Sequence, residues 1–186
     1  MFIFNKKSLL GVVEIIPERH QDKRGFFSEL LNYKELKKHG LNVEFIQENH
    51  SLSTHSGTVR GLHFQAPPFA QAKLVRCGRG KIIDVAVDIR IGSPTYGQWV
   101  TEELTFENGK QLYIPEGFLH GFVTLEPNSE IIYKCTNFYN KSSEGCVRFN
   151  DPDLKISWGK SINDHVISTK DRDAVQFEDF KSPFAL

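Results

Sequence analysis

The chain has 186 residues, enough to enclose one sizeable hydrophobic core and short for two, so a single domain over residues 1–186 is expected. Its 23 Lys and Arg residues balance 23 Asp and Glu residues, which argues against nucleic acid or an anionic membrane as the main partner and leaves any anionic ligand to a local cluster. Cys77, Cys135 and Cys146 cannot all pair within one chain and show no CxxC spacing, which favours a reducing compartment over a disulfide scaffold or a zinc knuckle.

The opening "MFIFNKKSLLG" lacks the long apolar stretch and small-residue cleavage site of a secretion signal, and no segment approaches the length of a membrane span, so a cytoplasmic protein is expected. Fifteen Phe residues, many β-branched residues and closely spaced Gly and Pro point to a mainly β chain. In chain order the first strand candidates are "GVVEIIP" and "GFFSELL". A helix is then predicted at "NYKELKKHG", with Asn32 as N-cap, Gly40 as stop, and Lys37, Lys38 and His39 at the negative end of its dipole.

Further strands are read at "VEFIQENHS", "TVRGLHFQ", "AKLVRCGRG", "KIIDVAVDIR", "GQWVTEELT", "KQLYIPEG", "HGFVTL", "EIIYKCTNFY" and "GCVRFND". The clearest is "KIIDVAVDIR", where Ile83, Val85, Val87 and Ile89 share one face and Ile82, Asp84, Ala86 and Asp88 the other. After "NDPDLKISWG" the tail is expected to form loops and short turns. So many short strands favour a sandwich or barrel, and a jelly roll is the form expected here.

Arg60, His63, Lys73, Arg76, His120, Tyr133 and Lys134 interrupt apolar strand patterns. Burying so many polar groups is costly unless they face a lumen that binds something polar. A lone strand histidine or tyrosine is ordinarily a packed residue with its polar atom satisfied; the grouping is what lifts His63 and Tyr133 above that reading. Parity raises a difficulty, because Arg60 and His63 should point to opposite faces of a regular strand. Gly61 between them is a candidate bulge that turns both inward.

"GKQLYIPEGFLHGFVT" fits the second cupin motif, with Gly109, Pro115 and Gly117 shaping a turn and His120 pointing into the barrel. A cupin-type jelly-roll barrel with a few short helices is therefore expected. Many cupins complete a metal site with an H-x-H pair, but "HFQ" sets Gln65 at the second histidine position, which weakens a metal reading.

The ordered motifs "DKRGFFSE", "QENHS", "GTVRGLHFQ", "QAKLVRCGRGKIIDVAVDIRIGSPTYGQW", "YIPEGFLHGFVTL", "YKCTNFY", "SSEG", "NDPDLKISW" and "STKD" span residues 20–173. Over that length the chain resembles the dTDP-4-dehydrorhamnose 3,5-epimerase family of the rhamnose pathway. The resemblance implies a homodimer with neither metal nor other cofactor, in which N-terminal strands add to the partner's sheet. It also implies His63 as base, Asp171 as its support, Tyr133 as proton donor and Lys73 as stabiliser of an enolate oxygen. Ligand-binding positions carried over are Arg24, Glu29, Gln47, Asn49, Arg60, His120, Glu144 and Lys170, with Phe27 and Tyr139 flanking the base or sugar.

The implied substrate is a dTDP-4-keto-6-deoxy sugar, whose C3 and C5 hydrogens are both acidified by the C4 carbonyl. One group must remove a proton while another returns one to the opposite face. Arginines and Lys170 suit the diphosphate. Leu119 and Glu48 depart from the alanine and aspartate expected at their positions, and both are expected to alter pocket shape. Three other readings stand beside this one: an epimerase acting at C3 or C5 alone, a metal-dependent cupin oxygenase, and a non-catalytic sugar-nucleotide binder.

Overall fold

A strand shows its two faces to different surroundings, so each alternating segment must find cover on two sides. The computed structural model of the protein describes residues 1–159, 162 and 166–186. Its strands are β1 (Phe2–Lys6), β2 (Val13–Pro17), β3 (His20–Asp22), β4 (Gly25–Phe27), β5 (Gln47–Ser53), β6 (Val59–Gln65) and β7 (Lys73–Arg79). They continue with β8 (Lys81–Asp88), β9 (Trp99–Thr105), β10 (Gln111–Ile114), β11 (Phe118–Thr124), β12 (Ser129–Cys135) and β13 (Glu144–Cys146). Two short helices, α1 (Tyr33–Lys38) and α2 (Thr169–Arg172), and a 3-10 turn at Lys141–Ser143 complete the described elements.

The strands form a six-stranded sheet in the order β1-β2-β10-β7-β12-β5 and a five-stranded sheet in the order β13-β6-β11-β8-β9. Strands β3 and β4 make a separate hairpin. Every ladder is antiparallel. The two main sheets face each other, as a mainly β jelly roll requires.

Between the sheets, Val75, Ile82, Ala86, Leu112 and Ile131 pack with Leu9 and Val12 in a buried cluster. The apolar face of β8 lies elsewhere. Val85, Val87 and Ile89 turn outward and are covered by the C-terminal segment through Leu154, Trp158, Phe177, Phe180 and Phe184. The face of β8 that carries Asp84 and Asp88 is the one turned toward the lumen with Ile82 and Ala86. Each aliphatic side chain so buried contributes about 1.5–3 kcal/mol, so the tail is an integral wall of the fold.

The outer face of the six-stranded sheet is covered by α1 and the segment after it: Leu36, Leu41, Val43 and Phe45 pack with Ile15, Leu74 and Tyr113. Asn32 caps α1 by accepting from Lys34 N at 3.0 Å and Glu35 N at 3.3 Å, and Gly40 takes φ +83° just beyond it. These match the expected start and stop signals.

Several boundaries differ from expectation. "GFFSELL" contributes only Gly25–Phe27, because residues 28–32 leave the hairpin to reach α1. In "VEFIQENHS" the ladder starts at Gln47, since Val43 and Phe45 serve as cover for the neighbouring sheet face. The opening residues form β1, paired with β2, where no strand was read. The tail contains the one-turn α2, capped by Ser168, which accepts from Asp171 N; residues 160, 161 and 163–165 of that tail lie outside the described residues.

Strand β6 carries the feature that shapes the lumen. His63 pairs with His120 while Arg60 pairs with Phe122, so three steps along β6 oppose two along β11. This is a bulge at Gly61, whose φ is +123°. A Cβ there would stand 2.6 Å from Gly121 Cα and 2.8 Å from the His120 carbonyl oxygen, both backbone atoms of the adjacent strand.

Gly61→Ala is therefore expected to lower stability by about 2–4 kcal/mol. Gly92→Ala serves as control: its φ is +88° but no atom lies within 4 Å of the added carbon, so only the backbone cost of about 1–2 kcal/mol applies. Thermal denaturation of both variants checks this, and equal losses would contradict the close-packed bulge.

Candidate active site

The bulge resolves the parity difficulty. Arg60 and His63, three residues apart, both reach a cleft of about 370 Å³ between the sheets. Lys73, His120, Tyr133, Glu144, Lys170 and Asp171 share its walls. A smaller lobe of about 140 Å³ adds Gln47, Asn49 and Tyr139 and has His63, Lys73, Tyr133 and Glu144 in common with the first. His63 and His120 come from the five-stranded sheet, Lys73 and Tyr133 from the six-stranded one.

Two histidines meet carboxylates in this region, and their surroundings differ. His63 Nε2 lies 2.5 Å from Asp171 Oδ1. A carboxylate accepts only, so Nε2 carries the hydrogen and Nδ1 is left with its lone pair. Asp171 is buried, and burial alone would push its pKa up. The His63 hydrogen bond, the Gly61 N–H and the Ser168 side chain outweigh burial and hold the carboxyl below its ordinary value. The same bulge that aims His63 thus turns the Gly61 amide toward its carboxylate partner.

His120 Nε2 donates to Asp84 Oδ1 at 2.8 Å, and its Nδ1 lies 3.4 Å from Lys73 Nζ. Both nitrogens are engaged and the side chain is 8% exposed, against 29% for His63. Burial, Lys73 and His63 push the His120 pKa below its usual value, against the pull of Asp84. Among the described residues no hydrogen bond reaches His63 Nδ1, and His63 has access to the cleft; His120 is locked behind Lys73.

On the facing sheet, Lys73 Nζ lies 5.9 Å from the centre of the Tyr133 ring. Burial pushes the Lys73 pKa down, partly offset by nearby anions that include Asp84 and Glu144. Burial pushes the Tyr133 hydroxyl up, which keeps its proton in place at neutral and mildly alkaline pH. Gln47 donates to Asn49 at 3.1 Å and accepts from Tyr139 N at 2.9 Å. At the mouth, Glu144 pairs with Lys170 and accepts from the Tyr139 hydroxyl at 3.2 Å. Burial would raise the Glu144 pKa, but Lys170 and Tyr139 bring it below its ordinary value. Arg60 is held by Ser53 Oγ and the Leu52 carbonyl, each at 3.2 Å.

Arg24, Phe27 and Glu29 stand apart from this cleft. Arg24 pairs with Asp22 on the β3–β4 hairpin and its side chain is 90% exposed, Phe27 is 71% exposed, and Glu29 accepts from Asn32. Arg76 and Lys134 also differ from expectation: alternation turns them to the outer face, where they line a hollow with Glu48. Glu48 bonds Lys134 at 2.6 Å there, and Leu119 is buried in the core behind β11. Neither departure from the motif touches the cleft, because each is an odd step away from a cleft residue, Asn49 or His120.

Three contributors were missed. Asp84 interrupts the apolar residues Ile82 and Ala86 on one face of β8, and that interruption is the signal that could have marked it. Ser168 matched an N-cap pattern in the tail. Ser51, whose buried hydroxyl has no hydrogen-bond partner among the described residues, lines the cleft but carries no signal in its own segment.

Gln65 explains itself structurally. Its amide donates to the carbonyls of Phe69 at 2.7 Å and Phe138 at 3.1 Å, while its oxygen accepts from Asn140 N at 2.6 Å. It pins two loops together, and these three bonds hold its amide in the loop contacts rather than in a metal-binding pose. Among the described residues one group, His63, Cys146 and Asp171, brings three metal-binding side chains within 4.8 Å of one another.

A family model described as dTDP-4-dehydrorhamnose 3,5-epimerase matches residues 6–179. The chain is 49% identical over 168 residues to a dTDP-4-dehydrorhamnose 3,5-epimerase of Sinorhizobium fredii, covering 90% of this chain and 86% of that one. It is similar to the crystal structure of a dTDP-6-deoxy-D-glucose-3,5-epimerase from Legionella pneumophila in complex with dTDP-4-keto-L-rhamnose. That match has TM-score 0.93 and 37% identity and covers 100% of both chains. It is also similar to a 3'-monoepimerase from Streptomyces bikiniensis in complex with dTDP-quinovose, with TM-score 0.86, 33% identity, and 91% and 85% of the two chains covered.

Gln65→Ala is expected to cost about 2–4 kcal/mol, because it strands two carbonyls and one amide near the cleft floor. Thermal unfolding followed by circular dichroism measures the loss; an unchanged midpoint would show that the loops hold without the clip.

Proposed function

The chain belongs to the dTDP-4-dehydrorhamnose 3,5-epimerase family, and on that premise we propose that it converts dTDP-4-dehydro-6-deoxy-D-glucose to dTDP-4-dehydro-β-L-rhamnose in dTDP-L-rhamnose biosynthesis. The observation that carries the reading is the pairing of His63 on one sheet with Tyr133 on the other across a single cleft. Inversion at carbon needs a proton taken from one face and another delivered to the opposite face. Two facing sheets supply those two sides.

In the proposed mechanism, His63 Nδ1 removes the proton α to the C4 carbonyl, with Asp171 fixing the tautomer and stabilising the imidazolium that forms. Negative charge develops on the sugar O4, and the Lys73 ammonium, held near His120, stabilises it. Tyr133, a hydroxyl that keeps its proton at neutral pH and that burial pushes further in that direction, donates to the other face. Repetition at the second α carbon completes the reaction. Arg60 and Lys170 suit the diphosphate, with Gln47, Asn49 and Tyr139 toward the smaller lobe. The chemistry requires no metal or nicotinamide.

Arg24, Phe27 and Glu29 bind substrate only by reaching a cleft other than the one in their own chain, and this supports a homodimer. The reading also takes the protein to be cytoplasmic, where nucleotide sugars are assembled; no helix among the described residues is long and apolar enough to cross a membrane.

The test is turnover of dTDP-4-keto-6-deoxyglucose in deuterated water, followed by NMR. Deuterium at both C3 and C5 with an L-rhamno product is expected. His63→Ala and Asp171→Ala should each lower exchange by about 10²–10⁴-fold, and Lys73→Met should lower kcat by about 10²–10³-fold. Tyr133→Phe should still exchange protons while forming little inverted product. Full turnover by the His63 variant would overturn the assignment, and deuterium at one carbon alone would reassign the protein to single-position epimerisation.

A further inference from the structure

Cys146 takes no part in the proposed reaction, yet it stands beside its central pair. The residue lies on β13, whose register sets it directly opposite His63 on β6. Its Sγ lies 3.8 Å from Asp171 Oδ1, the same oxygen that His63 Nε2 approaches to 2.5 Å. One imidazole nitrogen, one sulfur and one carboxylate therefore converge within 4.8 Å, from three different elements.

We infer that His63, Cys146 and Asp171 form a site for a thiophilic divalent cation, and that zinc bound there switches the enzyme off. Tetrahedral zinc takes nitrogen at about 2.0–2.1 Å, sulfur at about 2.3 Å and carboxylate oxygen at about 2.0–2.2 Å, which sets ligand atoms roughly 3.3–3.8 Å apart. The Cys146–Asp171 separation already matches. The His63–Asp171 hydrogen bond must open by about 1 Å on the same geometry, and His63 and Cys146, within 4.8 Å of each other, must settle at the same spacing. Sulfur with imidazole selects zinc and its neighbours over magnesium or calcium, which favour oxygen alone.

The ion and the catalytic hydrogen bond are mutually exclusive. Zinc binding releases the Cys146 thiol proton to solvent and moves the imidazole hydrogen from Nε2 to Nδ1, so the nitrogen that faces the substrate no longer has a lone pair to accept a proton. Three protein ligands leave one tetrahedral position for water. The cation thus acts as a reversible inhibitor and is not a cofactor.

The inhibitory half of this inference rests on His63 as the base; the binding half does not. The purified protein is titrated with Zn²⁺ by calorimetry and with Co²⁺ by absorption, where a thiolate-to-cobalt charge-transfer band and strong visible bands report tetrahedral sulfur ligation. Wild type is expected to bind one equivalent, to show the band, and to lose proton exchange in step with occupancy until a chelator restores it. Cys146→Ser removes one ligand, keeps its basal exchange, loses the band, and binds zinc at least about 10–100-fold more weakly, since even outer-shell changes cost that much.

Equal zinc binding by wild type and Cys146→Ser, or cobalt binding without the band, would overturn the site. Occupancy with the band but undiminished exchange would overturn the inhibition. Absence of exchange in metal-free wild type would count against the proposed reaction, while the cobalt spectrum would still decide the site.

Discussion

A strand can offer only every second residue to the space between two sheets, and Arg60 and His63 are three residues apart. The single extra residue that β6 carries opposite β11 removes that restriction, and the candidate site depends on it. Gly61 fits because its backbone is in the left-handed half of φ space and the neighbouring strand leaves no room for a side chain. The same distortion turns an amide toward Asp171. One local irregularity brings a cation and a histidine into the cleft and adds a hydrogen bond to the carboxylate that holds the histidine.

From that point the site is a division of labour between two similar pairs. His63–Asp171 and His120–Asp84 share the same connection through Nε2, and differ in what the other nitrogen meets. A free Nδ1 that opens on the cleft suits proton abstraction. An Nδ1 occupied by Lys73, deep in the wall, suits holding that lysine where an oxyanion forms. A carboxylate below its ordinary pKa also fits the proposed role of His63, in which the imidazole would become positive beside a charge already in place. Gln65, standing where a metal-binding cupin has a ligand, is consumed by loop carbonyls and a loop amide.

Much of this was legible in the sequence, and the limits have physical causes. Alternation located β6, β8 and β12, and side-chain chemistry marked the cap at Asn32 and the stop at Gly40. Alternation does not say which face meets the lumen. On β8 the wholly apolar face is the outer one, covered by Phe177, Phe180 and Phe184, far along the chain. The mixed face, with Asp84, looks into the site. Arg76 and Lys134 were read as lumen residues for the same reason, although they sit one step out of phase with Val75 and Tyr133.

The two residues of the central pair are separated by 108 positions, so only the family resemblance linked them. Arg24, Phe27 and Glu29 show the converse limit: their motif is clear, but a single chain leaves them outside its own cleft.

The most direct measurement is a crystal structure with a bound, unreactive dTDP-hexose. The account predicts a hexose ring lying between the sheets, with His63 Nδ1 and the Tyr133 hydroxyl about 3–3.5 Å from the ring on opposite faces and Lys73 at the C4 oxygen. A hexose with both groups on the same face, or one bound outside the cleft, would contradict it.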